Sequence, residues 1–143
     1  MQPDLANYDG SSGFLVDSDV WIYGIKGDSE FHDWAIESLQ RCSDAGPLHI
    51  NVIIYTELLV PGVKPADLDD MLDVFEAKRP AMPWACAQLA ARAYALYRSR
   101  GGSRRSPLPD FYLGAHAAAA NLTVLTKDRS AYRTYFPRVR LVE

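Results

Sequence analysis

Two cysteines and three histidines are all that this chain of 143 residues has of the soft metal ligands. Cys42 and Cys86 have no metal-motif spacing and both fall in helical patterns, so a thiolate zinc site and a disulfide framework are excluded. No apolar run approaches the length needed to span a bilayer. Met1-Gln-Pro-Asp-Leu-Ala-Asn lacks the basic and apolar regions of a signal peptide, so the expectation is a reduced, cytoplasmic protein with no membrane partner. A basic surplus is missing too: Lys and Arg number 15 against 18 acids, for a net charge of −3 and a pI near 5.6. Any polyanionic partner must therefore be attracted locally, through arginines or bound cations, rather than by a global field. There is no internal repeat, and the only low-complexity tract is Ala117–Ala120. What remains, 48% hydrophobic and 23% charged, is the composition of an ordinary globule. The length suits one domain, here 13–143, preceded by a polar, glycine-bearing tail over 1–12 expected to be flexible.

Phe14-Leu15-Val16 runs straight into Asp17-Ser18-Asp19. A short apolar run closed by polar residues reads as a buried strand. Gly24 to Gly27 read as a loop, and Asp28 or Ser29 as the cap of a helix that places Phe31, Trp34, Ala35, Leu39 and Cys42 on one face. Leu48 to Asn51 reads as a second strand, and Val52 to Val60 as a short buried helix. An amphipathic helix follows through Leu68, Met71, Leu72 and Phe75, with acids in its first turn and Lys78-Arg79 at its end. Pro83 opens a fourth helix that Gly101-Gly102 closes. A basic loop with Arg98, Arg100, Arg104 and Arg105 leads to an alanine-rich helix, Phe111 to Asn121. Leu122–Thr126 is a strand, Asp128 to Phe136 a short helix, and Val139–Val142 an edge strand. Strands separated by helices imply an α/β fold with a small parallel sheet covered on both faces.

Four acids share one context in this layout. Asp17 and Asp128 follow the carboxyl ends of strands, the edge where open α/β sheets bind ligands. Glu57 interrupts an otherwise apolar helix, and Asp110 begins another. Carboxylates that converge cannot all ionise without compensation, and an all-oxygen set favours Mg²⁺ or Mn²⁺ over zinc. Each acid also has a simpler explanation. Asp110 and Asp128 suit helix N-termini, Glu57 suits an ion pair with a buried arginine, and Asp19 suits an outward turn position.

Val16-Asp17-Ser18-Asp19-Val20, Tyr55-Thr56-Glu57-Leu58, Pro109-Asp110-Phe-Tyr-Leu-Gly-Ala-His-Ala and Val124-Leu125-Thr126-Lys127-Asp128-Arg129 resemble, in order, the four acidic motifs of PIN-domain nucleases. The resemblance is closest to VapC-like ribonuclease toxins of type II toxin–antitoxin modules, and extends through Tyr132-Arg133-Thr134-Tyr135-Phe136-Pro137. It implies a three-layer α/β/α sandwich, a Mg²⁺- or Mn²⁺-dependent endoribonuclease, a homodimer and a cognate antitoxin. Asp19 departs from the pattern, since the family usually has asparagine there.

On this reading Asp17, Glu57, Asp110 and Asp128 are the catalytic acids and hold one or two metal ions, with Asp17 and Asp110 as direct ligands. Ser18 and Thr126 orient the carboxylates through hydrogen bonds. Arg104 and Arg105 are placed to contact RNA phosphates, and single-stranded or looped RNA is the accessible substrate. The histidines are not expected to act in catalysis, and Trp21 is left open as a base-stacking residue. Two alternatives stand beside this. A haloacid-dehalogenase-like phosphatase would use Asp17 as nucleophile and Asp19 as general acid, and an idle PIN-fold module would only bind a protein partner.

Overall fold

The structure, a computed structural model, describes residues 5–103 and 108–143. The expected RNA contacts of Arg104 and Arg105 lie outside the described residues. In chain order the elements are β1 (Phe14–Val16), α1 (Ser18–Ile25), α2 (His32–Ala45), β2 (Leu48–His49), α3 (Val52–Leu59), α4 (Pro65–Val74), α5 (Ala85–Ser99), α6 (Leu108–Ala120), β3 (Thr123–Leu125) and α7 (Ser130–Tyr135).

The sheet has the order β2-β1-β3, and both pairings are parallel. Its apolar residues Leu15, Val16, Leu48, Val124 and Leu125 are buried, as expected for parallel strands flanked by helices. Phe14 pairs with Thr123 and Val16 with Leu125. The Asp17 N–H then donates to the Leu125 carbonyl at 2.9 Å, which brings the residues that leave β1 and β3 to one edge. The core continues through α1, α2 and α6. Trp21 is fully buried, donates from its indole nitrogen to the Val16 carbonyl at 3.2 Å and meets Phe75 edge-on. A base cannot stack on it.

Helix α6 runs along α5 and is buried at Phe111 and from Leu113 to Ala118, which its alanines permit. Gly114 marks the closest approach: a Cβ there would fall 2.2 Å from the Phe136 ring. Beyond the helix, Asn121 takes a left-handed φ of 61°, a conformation that asparagine tolerates better than most residues. Its side-chain oxygen accepts from the Asp9 and Gly10 amides, and the Tyr8 hydroxyl donates to the Leu122 carbonyl. Residues 5–12, expected as a loose tail, are held at these points.

Several boundaries differ from expectation. Gly24 lies inside α1 rather than in a loop, buried against Ile36 and Leu39 of α2. Neither Asp28 nor Ser29 caps α2; Phe31 occupies that position without a side-chain cap. Asn51 leaves the second strand and caps α3, its side-chain oxygen accepting the Ile54 N–H at 2.9 Å. Helix α3 is only half buried: Ile54 and Leu58 face the core while Val52 lies on the surface. The expected edge strand at 139–142 reduces to a single parallel bridge between Val124 and Leu141.

Candidate active site

Asp17 has two roles at the end of β1. As the N-cap of α1 it accepts the Ser18 N–H on Oδ1 at 2.8 Å, which relieves one of the helix's unpaired donors and sets a carboxylate at the positive end of the helix. Its Oδ2 accepts from the Tyr132 hydroxyl at 2.9 Å and lies 3.1 Å from the Thr126 hydroxyl. Thr126 is buried at the end of β3. Its oxygen is also 3.3 Å from Asp19 Oδ2 and 3.1 Å from the Asp128 carbonyl.

Asp19 does not turn outward. Its Oδ2 accepts the Lys127 and Asp128 amides at 2.9 and 3.1 Å, tying the first turn of α1 to the turn after β3. Its Oδ1 is buried with no partner among the described residues. Burial, and then the charge of Asp17, raises its carboxyl above the usual aspartate value.

Glu57 arrives from α3. Burial, and next the charges of Asp17 and Asp110, push its carboxyl up to about 7, while a hydrogen bond from Ser18 pulls the other way. Its Oε1 too is buried without a partner among the described residues. A glutamate raised by two other acids must share their space, so Asp17, Glu57 and Asp110 influence one another. Asp110 itself stands exposed in the first turn of α6.

Asp128 is placed differently. Its backbone belongs to the site, but its carboxylate accepts from the Ser130 N–H and hydroxyl at 3.3 and 3.0 Å and starts α7. It is not the N-cap of α7, a position that Arg129 holds without a side-chain bond. Arg98 and Arg100 make contacts within the chain, to the Gly102 carbonyl and over the Tyr135 ring.

The residues from β1 to the end of α7 match one family. Residues 14–137 fit the sequence model of the PIN domain. This chain belongs to the PIN domain family. No curated protein matches it significantly, but solved structures share its fold. VapBC2 from Rickettsia felis, bound to a DNA fragment from their promoter, aligns over 90% of this chain and 96% of its own, with 17% identity and a TM-score of 0.69. DNA-bound VapBC from Salmonella typhimurium aligns over 92% and 97%, at 20% identity and a TM-score of 0.64. A toxin–antitoxin complex from Klebsiella pneumoniae aligns over 84% and 90%, at 18% identity and 0.55.

Within this PIN domain the acid edge offers oxygen donors, and two of its buried carboxylate oxygens lack partners among the described residues. In donor chemistry that fits a hard divalent cation. Among the described residues, no three His, Cys, Asp or Glu side chains are gathered into a ready-made metal site. Asp128 is directed away from the other acids by its bonds to Ser130.

Two features of the site escaped the sequence reading. One is the Tyr132 hydroxyl, since nothing in the spacing of α7 tells which tyrosine reaches Asp17. The other is a brace behind the acids. Asn51 at the start of α3 places its amide nitrogen 2.9 Å from His116 Nδ1 on α6, linking the helices that carry Glu57 and Asp110. His116 is fully buried, and burial, followed by the proximity of His49, lowers it to about 4. The ring is therefore neutral, with Nδ1 accepting from the amide. His32 is bound elsewhere, 3.1 Å from the Tyr23 carbonyl.

Proposed function

We propose that this PIN domain is a divalent-metal-dependent endoribonuclease acting as the toxin of a toxin–antitoxin pair. What supports the proposal is that Asp19 Oδ1 and Glu57 Oε1 are buried without partners among the described residues, and that the charges of Asp17 and Asp110, after burial, help raise Glu57 to about 7. Such an arrangement is costly for stability unless something positive compensates it.

Asp17, Glu57 and Asp110 would hold Mg²⁺ or Mn²⁺, with Asp128 contributing only if its carboxylate leaves Ser130. When bound, the cation supplies positive charge for the scissile phosphate and makes water nucleophilic near neutral pH. Thr126 and the Ser18 amide orient Asp17, and Asp19 holds the turn after β3 through the Lys127 and Asp128 amides. Glu57 has to lose its proton for the cation to bind, and the local value near 7 makes this easy at cellular pH. Single-stranded or looped RNA is the substrate that this exposed edge admits.

The fold's likeness to VapBC assemblies and to a toxin–antitoxin complex supports a cognate antitoxin as partner, while a homodimer rests on the sequence resemblance alone. PIN membership favours this reading over a dehalogenase-like phosphatase, in which Asp19 would have to act as an acid rather than clamp two amides. Replacing Asp17 by Asn is expected to abolish Mg²⁺- or Mn²⁺-dependent cleavage of single-stranded RNA while the melting temperature stays within a few degrees. Full cleavage by that variant would sink the proposal. An absence of Mg²⁺ and Mn²⁺ binding in calorimetry would instead favour an idle binding module.

A further inference from the structure

The Asp17 carboxylate depends on hydroxyl donors for its orientation, and they are not equivalent. The Thr126 hydroxyl has a single proton and three acceptors within reach: Asp17 Oδ2 at 3.1 Å, Asp19 Oδ2 at 3.3 Å and the Asp128 carbonyl at 3.1 Å. It can serve only one of them at a time. Tyr132 has a shorter bond, 2.9 Å to Asp17 Oδ2, and Asp17 is the one acceptor found for its hydroxyl among the described residues. Its ring is 6% exposed, so water does not compete for the phenol and the bond forms in a medium of low polarity. The side chain projects from α7, and Val16, at the end of the central strand, leads straight into Asp17. The bond therefore fastens the helix to the strand end at the acid itself.

We propose that Tyr132 is a positioning residue of the active site: its hydroxyl pins Asp17 Oδ2 and, with the Ser18 amide on Oδ1, fixes the plane of the carboxylate. This rests on the metal-nuclease reading above. It adds to that reading a residue outside the acidic set whose removal weakens metal binding without touching the metal. Outer hydrogen-bond partners of metal ligands typically change affinity or activity by about 10- to 100-fold.

Tyr132→Phe tests this, because it deletes the oxygen and keeps the ring that α7 packs into the core. Mn²⁺ binding is measured by calorimetry on the full chain, beside steady-state cleavage of a single-stranded RNA. The expected result is a roughly tenfold rise in the Mn²⁺ Kd and a comparable fall in kcat, with KM for RNA within twofold. Tyr135→Phe is the control: Tyr135 lies on the same helix, but its ring joins Phe111 and Tyr97, and this variant should bind Mn²⁺ like the wild type. Mn²⁺ affinity and kcat within twofold of wild type in Tyr132→Phe would overturn the proposal, as would an equal loss in Tyr135→Phe. If the wild-type protein itself binds no Mn²⁺, the metal-nuclease reading fails and takes this proposal with it. If the wild type binds and Tyr132→Phe binds equally well, only the positioning role is lost.

Discussion

A buried histidine and a half-buried glutamate give this domain opposite pH dependences of stability, and removing either should expose the other. His116 falls from 6.5 to about 4 on folding, chiefly through burial. Its native state prefers the neutral ring, so the stability it contributes is complete above 6.5 and is lost as pH falls toward 4. Between pH 7.5 and 4.5 the loss amounts to about 2.5 kcal/mol, at roughly 1.4 kcal/mol per pH unit. Glu57 runs the other way. Its native carboxyl is raised from 4.5 to about 7, so ionisation penalises the fold above that value and the penalty disappears as pH falls. The full shift would be worth about 3 kcal/mol, but the side chain is partly solvated and screening reduces this to about 1–2 kcal/mol. Asp19, also raised, adds in the same direction.

The metal-free wild-type protein, kept in chelator, should therefore lose only about 1 kcal/mol between pH 7.5 and 4.5. Urea denaturation across that range reads this directly. Glu57→Gln should reveal the histidine, with stability falling by about 2.5 kcal/mol. His116→Gln keeps an acceptor for Asn51 and should reveal the acids, with stability rising as pH falls. A flat profile for Glu57→Gln would refute the burial of a neutral His116. A profile for His116→Gln as steep as that of Glu57→Gln would refute the opposition.

Other perturbations test the surrounding structure. Asn51→Ala removes the α3 cap and the His116 partner together, and should cost about 1–3 kcal/mol in thermal or urea melts; a loss under about 0.5 kcal/mol would deny the brace. Asp19→Asn keeps an oxygen for the Lys127 and Asp128 amides and deletes one charge. The Glu57 carboxyl, followed by NMR, should then titrate lower than in the wild type, and an unmoved midpoint would show that Asp19 exerts no field there. Gly114→Ala forces a methyl group into the Phe136 ring, with an expected loss of roughly 1–3 kcal/mol; unchanged stability would mean that α6 and α7 have room to part. Asp128→Ala should lower stability by about 0.5–1 kcal/mol by removing the two bonds to Ser130 at the start of α7. If it abolishes Mn²⁺ binding as completely as Asp17→Asn, its carboxylate leaves Ser130 to serve the metal.

Period and punctuation alone carried a good deal of this protein. The apolar triplet Phe14–Val16 running into Asp17 could be little other than a buried strand ending in an acid. The alternation of strand and helix implied the parallel sheet, and Glu57 stood out as the one carboxylate in an otherwise apolar helix. These features are local, and local sterics and burial decide them. What the tertiary structure decided was where the side chains at the turns point. Asp19 and Asp128 look alike in sequence, yet Asp19 turns inward because two amides from the turn after the neighbouring strand β3 are waiting for it, whereas Asp128 turns to the Ser130 donors beside it. The bond from Tyr132 to Asp17 spans 115 positions, and that between Asn51 and His116 spans 65. No periodicity encodes such partners: they exist only once β1 lies beside β3 and α3 comes within reach of α6, when buried polar atoms must find one another or remain unsatisfied.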